Sequence, residues 1–448
     1  MNKLNGLERR LGLFPLTNIV IANMIGAGIF TTSGLLMEQL RHPLLLLGLW
    51  AAGGLIALAG AFAYSELGAA YPQAGGEYLF LSRLYHPLLG FLSGWVSFFV
   101  GFSAPIAASA IGMTEYLARA FPEILAVPGI PGGLLKKIYA LLAILLFTLL
   151  HLQGLRWGAR VQNVLTGLKV GLIAALIIAG LTRSGGDWSH FAAAEPFRFD
   201  LGGWKVIGLS LMWIMFSYSG WNAAAYIGSE VRNPGRNIPR SLLLGTGMVI
   251  LLYAGLNIFY VYALPAAGMS GVIPVGSLAA GRLFGASSTK LITLLIAFAQ
   301  FSSLSAFIIL GPRVYYSMAR DGLFFKKVAE VHPKRRVPST SILLQAGIAG
   351  AIVLSGSFDQ ILTYMGFSLG LFPLLAVLGV FILRRRKELP YRMPGFPVFP
   401  LIYLLAGVSI LVLGFMERPV PSSIALLTVA LGVPAYFIFR GTTAPSKP

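Results

Sequence analysis

The feature that most constrains this chain is a succession of long apolar runs that carry no charge. Leu242 to Ala263 is 22 residues without an Asp, Glu, Lys or Arg. That exceeds the ~20 residues an α-helix needs to cross a bilayer core. Lipid offers no hydrogen bonds to the backbone, so spanning segments are helices or closed barrels. Composition agrees with the helical reading. Hydrophobic residues make up 56% of the 448 and charged residues only 11%, against about 25% charged in soluble domains. The expected fold is an all-α polytopic membrane protein with a single transmembrane domain.

Twelve spans are expected, at 13–36, 43–64, 87–111, 136–153, 161–182, 203–228, 241–263, 289–312, 340–357, 360–383, 398–416 and 422–440. An even number puts both termini on one side. Of the 34 Lys and Arg residues, 23 fall on the side of the termini, 10 on the opposite side, and one, Lys169, inside a span. The excess of cations places both termini in the cytoplasm. The net charge of +19 then reflects topology and contact with anionic membrane lipids, not nucleic acid. The clusters Lys326 to Arg336 and Arg384 to Arg392 read as cytoplasmic anchors. There is no Cys, which excludes a zinc–thiolate site and a disulfide-linked partner. The first apolar run is too long for a signal-peptide core and lacks an A-x-A cleavage pattern, so it reads as a retained helix. Short termini and compact loops point to a bacterial inner membrane, a multi-pass plasma-membrane location. Residues 441–448 read as a disordered cytoplasmic tail.

Three places carry polar or flexible residues where lipid-facing helices would not. In the first span, Ile25-Gly26-Ala27-Gly28 weakens the helix near its middle. A break there frees amides and a helix N-terminus that can hold a carboxylate; close helix packing is the alternative. In the sixth span, Phe216-Ser217-Tyr218-Ser219-Gly220-Trp221-Asn222 reads either as an unwound turn whose carbonyls receive an ammonium group, with Phe216 closing over it, or as a polar seam between helices. The two stretches lie at the start of two five-helix halves, a pattern that points to an inverted-repeat transporter with its site at the bilayer midplane. Lys169 sits near the middle of the fifth span. It should face the bundle interior and bind backbone carbonyls or hydroxyls, with Ser302, Ser303 and Ser305 of the eighth span as candidate partners. It reads as a fixed or titratable charge replacing a coupling cation, or as a purely structural cation. No Asp or Glu lies equally deep in a span.

Further along, Asn233-Pro234 reads as a helix end, and Tyr64 to Tyr78 as a structured segment at the membrane interface. His151 takes no assigned role. The match Gly366-Phe367-Ser368-Leu369-Gly370 lies inside the tenth span, away from the strand-to-helix turn that a hydrolase requires. No zinc-protease or P-loop pattern occurs. An enzyme is therefore not expected, nor a cofactor or a metal.

These residues resemble the amino acid–polyamine–organocation superfamily, and within it the L-type amino-acid transporters. The resemblance rests on Ile25–Phe30 (IGAGIF), Tyr64–Tyr78 (YSELGAAYPQAGGEY), Phe216–Arg240 (FSYSGWNAAAYIGSEVRNPGRNIPR), Arg313–Gly322 (RVYYSMARDG) and Leu383–Pro397 (LRRRKELPYRMPGFP). It implies a five-plus-five inverted repeat, 13–182 and 203–383, with discontinuous helices 1 and 6 and two peripheral helices over 398–440. It implies that Gly26, Ala27 and Gly28 present amides to a substrate carboxylate. It also implies that carbonyls around Phe216, Ser217 and Ser219 receive the α-ammonium, and that Lys169 stands where sodium-coupled relatives hold an ion. Ala27 replaces a common serine and Ser219 a common glycine.

The expected function is sodium-independent transport of an amino acid, a neutral one, by alternating access, as a proton-coupled symporter or an exchanger. The absence of a deep carboxylate disfavours cationic amino acids and polyamines. A sensor of the same fold that binds without transport is the main rival. A channel would need a continuous polar stripe, and no span shows one.

Overall fold

The computed structural model describes residues 7–192, 196–355, 358–385 and 389–442. The chain opens with α1 (Leu13–Met24) and α2 (Gly28–Leu40), two halves of one apolar run separated by three non-helical residues. Next come α3 (Pro43–Ala70), a short α4 (Glu77–Leu84) and α5 (Pro87–Val96). A π-helical turn, Ser97–Ser103, leads directly from α5 into α6 (Ala104–Ala120). Then follow α7 (Gly132–Leu152), α8 (Leu155–Leu181), α9 (Leu201–Ser217) and α10 (Ala223–Tyr226). The second half continues with α11 (Pro234–Ala263), α12 (Ala266–Met269), α13 (Val275–Phe284), α14 (Ala286–Arg320), α15 (Ser339–Ser355) and α16 (Phe358–Leu383). It closes with α17 (Val398–Glu417) and α18 (Pro419–Thr442).

Helix therefore occupies each of the twelve expected positions. Among the described residues, nine helices are long and apolar enough to cross a membrane, counting α1 and α2 as one and α5 with α6 as one. Leu201–Ser217, Ser339–Ser355 and Gly370–Leu383 are shorter apolar helices. The sixth span is interrupted as expected: α9 stops at Ser217 and α10 begins at Ala223. Three expectations change. Asn233-Pro234 starts a helix instead of ending one, with Pro234 at the first turn of α11, where its missing N–H costs nothing. The eighth span runs past 312 to Arg320, because Arg313, the charge that set the expected end, is buried and paired within the protein. The helix α18 reaches Thr442, so only 443–448 of the expected tail lie outside the described residues.

Helix packing follows the order of the two halves. The helix α3 lies along α11, α6 lies along α14, α1 touches α8, and α9 touches α16. Second with seventh, third with eighth, first with fifth and sixth with tenth is the set of pairs that an inverted two-fold relation exchanges.

One end of the bundle is tied by buried charges. Arg313 of α14 makes a bidentate pair with Glu230, Nε and Nη2 each 2.9 Å from a carboxylate oxygen. The Glu230 carbonyl accepts the amides of Arg10 and Leu11, at 2.8 and 2.9 Å. The Arg232 amide returns a bond to the Leu11 carbonyl at 2.8 Å. The segment before α1 is thus clipped to the segment after α10. Beside it, Arg384 donates to Glu66 at 2.7 and 2.6 Å, and the Met393 amide completes that carboxylate at 2.9 Å. Arg384, expected as a membrane anchor, is a structural cation.

Removing one partner of a buried ion pair leaves the other unpaired and costs about 3–5 kcal/mol. Arg313→Leu is expected to lower the melting temperature of the purified protein in detergent markedly. The double variant Arg313→Leu/Glu230→Leu should recover much of the loss. Thermal unfolding of the three variants side by side checks this; additive losses would remove the pairing argument.

Candidate functional site

The two helix breaks meet. The first covers Ile25, Gly26 and Ala27. At Ile25 the backbone leaves the helix, with φ −79° and ψ 89°. The second covers Tyr218 to Asn222, where Gly220 has φ +98°, a conformation side chains disfavour. Contact between the breaks is close on both flanks. A Cβ on Gly28 would stand 2.3 Å from Ser217 Oγ and 2.8 Å from Ser217 Cα. A Cβ on Gly220 would stand 2.8 Å from the carbonyl carbon of Asn23. Both positions need glycine because backbone passes against backbone. Thr32 and Ser217 join the two halves by a hydroxyl–hydroxyl bond of 3.1 Å.

Backbone groups freed by the breaks find specific partners. Lys169 is fully buried and spends its three protons on Ile25 O at 2.9 Å, Ser303 Oγ at 3.0 Å and Ala22 O at 3.3 Å. Ser303 also donates toward Ile25 O. The Tyr253 hydroxyl of α11 lies 2.6 Å from Met24 O and 3.0 Å from Ser217 O, bridging the ends of α1 and α9. Among the described residues, the amides of Gly26, Ala27 and Gly28 meet no acceptor. They are free donors at the N-terminus of α2, the arrangement that suits an anion.

A cavity lies against these breaks. Its walls include Asn23, Glu77, Ser97, Phe102, Met212, Met215, Phe216, Ser219, Gly220, Trp221, Asn222, Tyr226, Phe307, Phe372 and Tyr403. Of the expected substrate residues, Phe216, Ser219 and Gly220 line it. Ile25, Gly26, Ala27, Gly28, Ser217 and Tyr218 are not among its lining residues. Tyr218 points away, donating to Trp50 O at 3.2 Å and packing on the Trp50 and Tyr253 rings. The Ser217 carbonyl is taken by Tyr253, and the Phe216 carbonyl accepts the Ser219 amide at 3.0 Å. Each carbonyl thus already accepts a hydrogen bond within the protein and keeps a second lone pair. Ser302 is not a partner of Lys169: its carbonyl lies 3.5 Å from Gln162 Nε2, and its hydroxyl meets no partner. Ser305 serves His151 instead, at 2.9 Å.

Two lining residues were missed by sequence reasoning. Asn23 is buried and donates to Ile19 O at 2.8 Å, while its Oδ1 has no partner. An orphan acceptor in a cavity wall is available to a ligand donor. A polar residue three positions before the glycine break was the available signal. Glu77 comes from α4, which is not itself a span, so the apolar runs do not point to it. Burial pushes its carboxyl above the usual carboxylate range, and bonds from Tyr226, Tyr64 and Asn222 act against that rise. A buried carboxylate from outside the spans therefore stands in the cavity wall. The cavity has a free acceptor, free amides beside it and a largely aromatic and thioether wall, which suits a small zwitterion with a modest side chain.

The amino acid permease family matches residues 11–437. The serine/threonine exchanger SteT of Bacillus subtilis (strain 168) is 29% identical over 97% of this chain and 97% of its own length. The mouse large neutral amino acids transporter small subunit 2 is 27% identical over 96% of this chain and 81% of its own. The mouse Asc-type amino acid transporter 1 is 25% identical over 99% of this chain and 83% of its own.

The glycines of the first break make different predictions. Gly28→Ala must push Ser217 aside, and overpacking of this kind costs about 1–3 kcal/mol. A Cβ on Gly26 would meet nothing within 4 Å, so Gly26→Ala is expected to fold normally. Amino-acid binding and melting temperature of the two variants test this: Gly28→Ala should lose both, Gly26→Ala should keep its melting temperature. Equal behaviour would remove the close-contact argument.

Proposed function

Because this chain belongs to the amino acid permease family of the amino acid–polyamine–organocation superfamily, and is an amino-acid transporter, we propose that it exchanges neutral α-amino acids across the membrane without sodium. The observation that carries the proposal is the environment of Lys169. All three of its protons have acceptors, two of them carbonyls at the end of α1. Lys169 there does the work of a bound ion in holding the broken helix, and it leaves no need for one. A carrier without a coupling ion has nothing to drive the return of its empty form, which favours obligatory exchange. The Bacillus relative, an exchanger of serine and threonine, supports the same mode.

The substrate would place its carboxylate at the free amides of Gly26 to Gly28 and its ammonium toward Asn23 Oδ1 and Ser219, under Phe216. Its side chain would meet Phe102, Met212, Met215 and Phe307. These walls favour apolar or small hydroxylated side chains, and the serine/threonine exchanger and the large neutral amino acids transporter among the relatives point the same way. The proposed cycle is alternating access of two inverted repeats, 13–182 and 203–383, with 398–440 peripheral. Both termini would be cytoplasmic, so the tied end of the bundle would face the cytoplasm. Proton symport through a titrating Lys169 is the competing coupling mode.

Uptake of labelled amino acids into sodium-free proteoliposomes tests the proposal. Neutral amino acids are expected to enter preloaded vesicles only, with no response to an inward proton gradient. Gradient-driven uptake into empty vesicles would reassign the protein as a symporter. Binding without uptake would make it a sensor, and displacement by arginine or a polyamine would change the substrate class. Lys169→Ala leaves Ala22 O without its donor and Ile25 O with Ser303 alone, at about 1–3 kcal/mol for a buried group left unsatisfied. Exchange should fall by about tenfold or more, at 1.4 kcal/mol per decade; full exchange by this variant would end any coupling role for Lys169.

A further inference from the structure

Five buried side chains in the described residues carry formal charge: Glu66, Glu77, Lys169, Glu230 and Arg313. Glu66 and Glu230 have arginine partners. Glu77 and Lys169 are buried with no oppositely charged partner among the described residues. They stand behind different breaks. Lys169 binds the carbonyls that end α1. Glu77 binds the last residue of the second break, the short helix that follows it and α3: its Oε1 accepts Asn222 Nδ2 at 2.6 Å and Tyr64 Oη at 2.6 Å, and its other oxygen accepts the Tyr226 hydroxyl.

Burial pushes the Glu77 carboxyl up, and the donors around it act against that rise, in favour of the ionised form. Asn222 Nδ2 also donates to the Tyr226 hydroxyl at 3.2 Å, so the Tyr226 proton points at Glu77. An amide and a phenol therefore both spend protons on this side chain, and Tyr64 has a third to give. Tyr403 stands in the same cavity wall. None of these groups carries positive charge. A buried anion without a counter-ion is costly unless something cationic arrives.

We propose that Glu77 is a specificity-determining residue, a fixed anion that makes the half of the cavity beside the second helix break selective for the ammonium group of the substrate. This deepens the transport reading and rests on it. Lys169 behind the first break and Glu77 behind the second give the site a built-in polarity, positive beside the amides that would take a carboxylate and negative beside the acceptors that would take an ammonium. A zwitterion matches that polarity, whereas a ligand with only a carboxylate meets Glu77 uncompensated. Glu77 acts through the charge it sets in the cavity wall beside the second break, while Asn222, Tyr64 and Tyr226 hold its oxygens in place.

Glu77→Gln removes the charge and keeps the volume. Inhibition constants would be measured on purified, reconstituted protein for L-leucine and L-serine, and for 2-hydroxy-4-methylpentanoate and glycerate, in which a hydroxyl replaces the ammonium group. In the variant, affinity for the two amino acids is expected to fall by about tenfold or more, while affinity for the two hydroxy acids stays level or rises. Glu77→Asp keeps the charge and should keep the discrimination, and it decides the matter if the Gln variant does not fold. An equal loss for all four ligands would mark a purely structural residue and overturn the proposal, as would loss of discrimination in Glu77→Asp. Wild-type protein that binds neither amino acid would overturn the transport reading and this inference with it. Wild-type binding with unchanged selectivity in Glu77→Gln would overturn this inference alone.

Discussion

Everything at the centre of this protein depends on how a broken helix is satisfied inside a membrane. A helix that stops mid-span strands carbonyls and amides where no lipid can bind them, at several kcal/mol for each. Here the carbonyls are answered by side chains from other helices. Lys169 of α8 and Ser303 of α14 hold Ile25 O, and Tyr253 of α11 joins Met24 O to Ser217 O. Each answer ties a break to a neighbouring helix, so the breaks hold the bundle together as well as interrupting it. The amides of Gly26 to Gly28 are left without acceptors, and that asymmetry is what makes the first break fit to bind an anion.

The same economy governs buried charge. Glu66 and Glu230 are neutralised by arginines at one end of the bundle, where they pin the segment before α1, the segment after α10 and the chain beyond α16. Those contacts gather the elements that the proposed cycle would have to part. Lys169 and Glu77 lie beside the breaks without such partners. The molecule thus separates charges that lock its frame from charges that stand beside the helix breaks.

Much of this was legible from residue patterns. Uncharged runs located the helices because a bilayer imposes a length and a composition together. Ile25 to Gly28 and Phe216 to Asn222 marked the breaks because glycine and small polar residues are poor mid-span helix formers. Lys169 stood out because lipid tolerates no stray cation, and its partnership with carbonyls and Ser303 followed from the same cost. Errors arose where a local signal had two physical meanings. Pro234 can stop a helix or begin one, and α11 begins there. Arg313 marked the edge of a span only until Glu230 neutralised it. Ser302, Ser303 and Ser305 look alike in sequence, but helical rotation points each at a different neighbour.

The sequence by itself determined the membrane-spanning class, the positions of the helices, the two interruptions and the buried lysine, because each follows from backbone hydrogen bonding and charge solvation along a single segment. Tertiary structure decided which groups share a cavity. Glu77 belongs to a connecting helix, Asn23 to the first span and Tyr253 to the seventh, and no spacing along the chain brings them together. Their roles depend on which atoms other segments leave unsatisfied: the orphan Oδ1 of Asn23, the carbonyl pair bridged by Tyr253 and the uncompensated carboxylate of Glu77 exist only once the helices have packed.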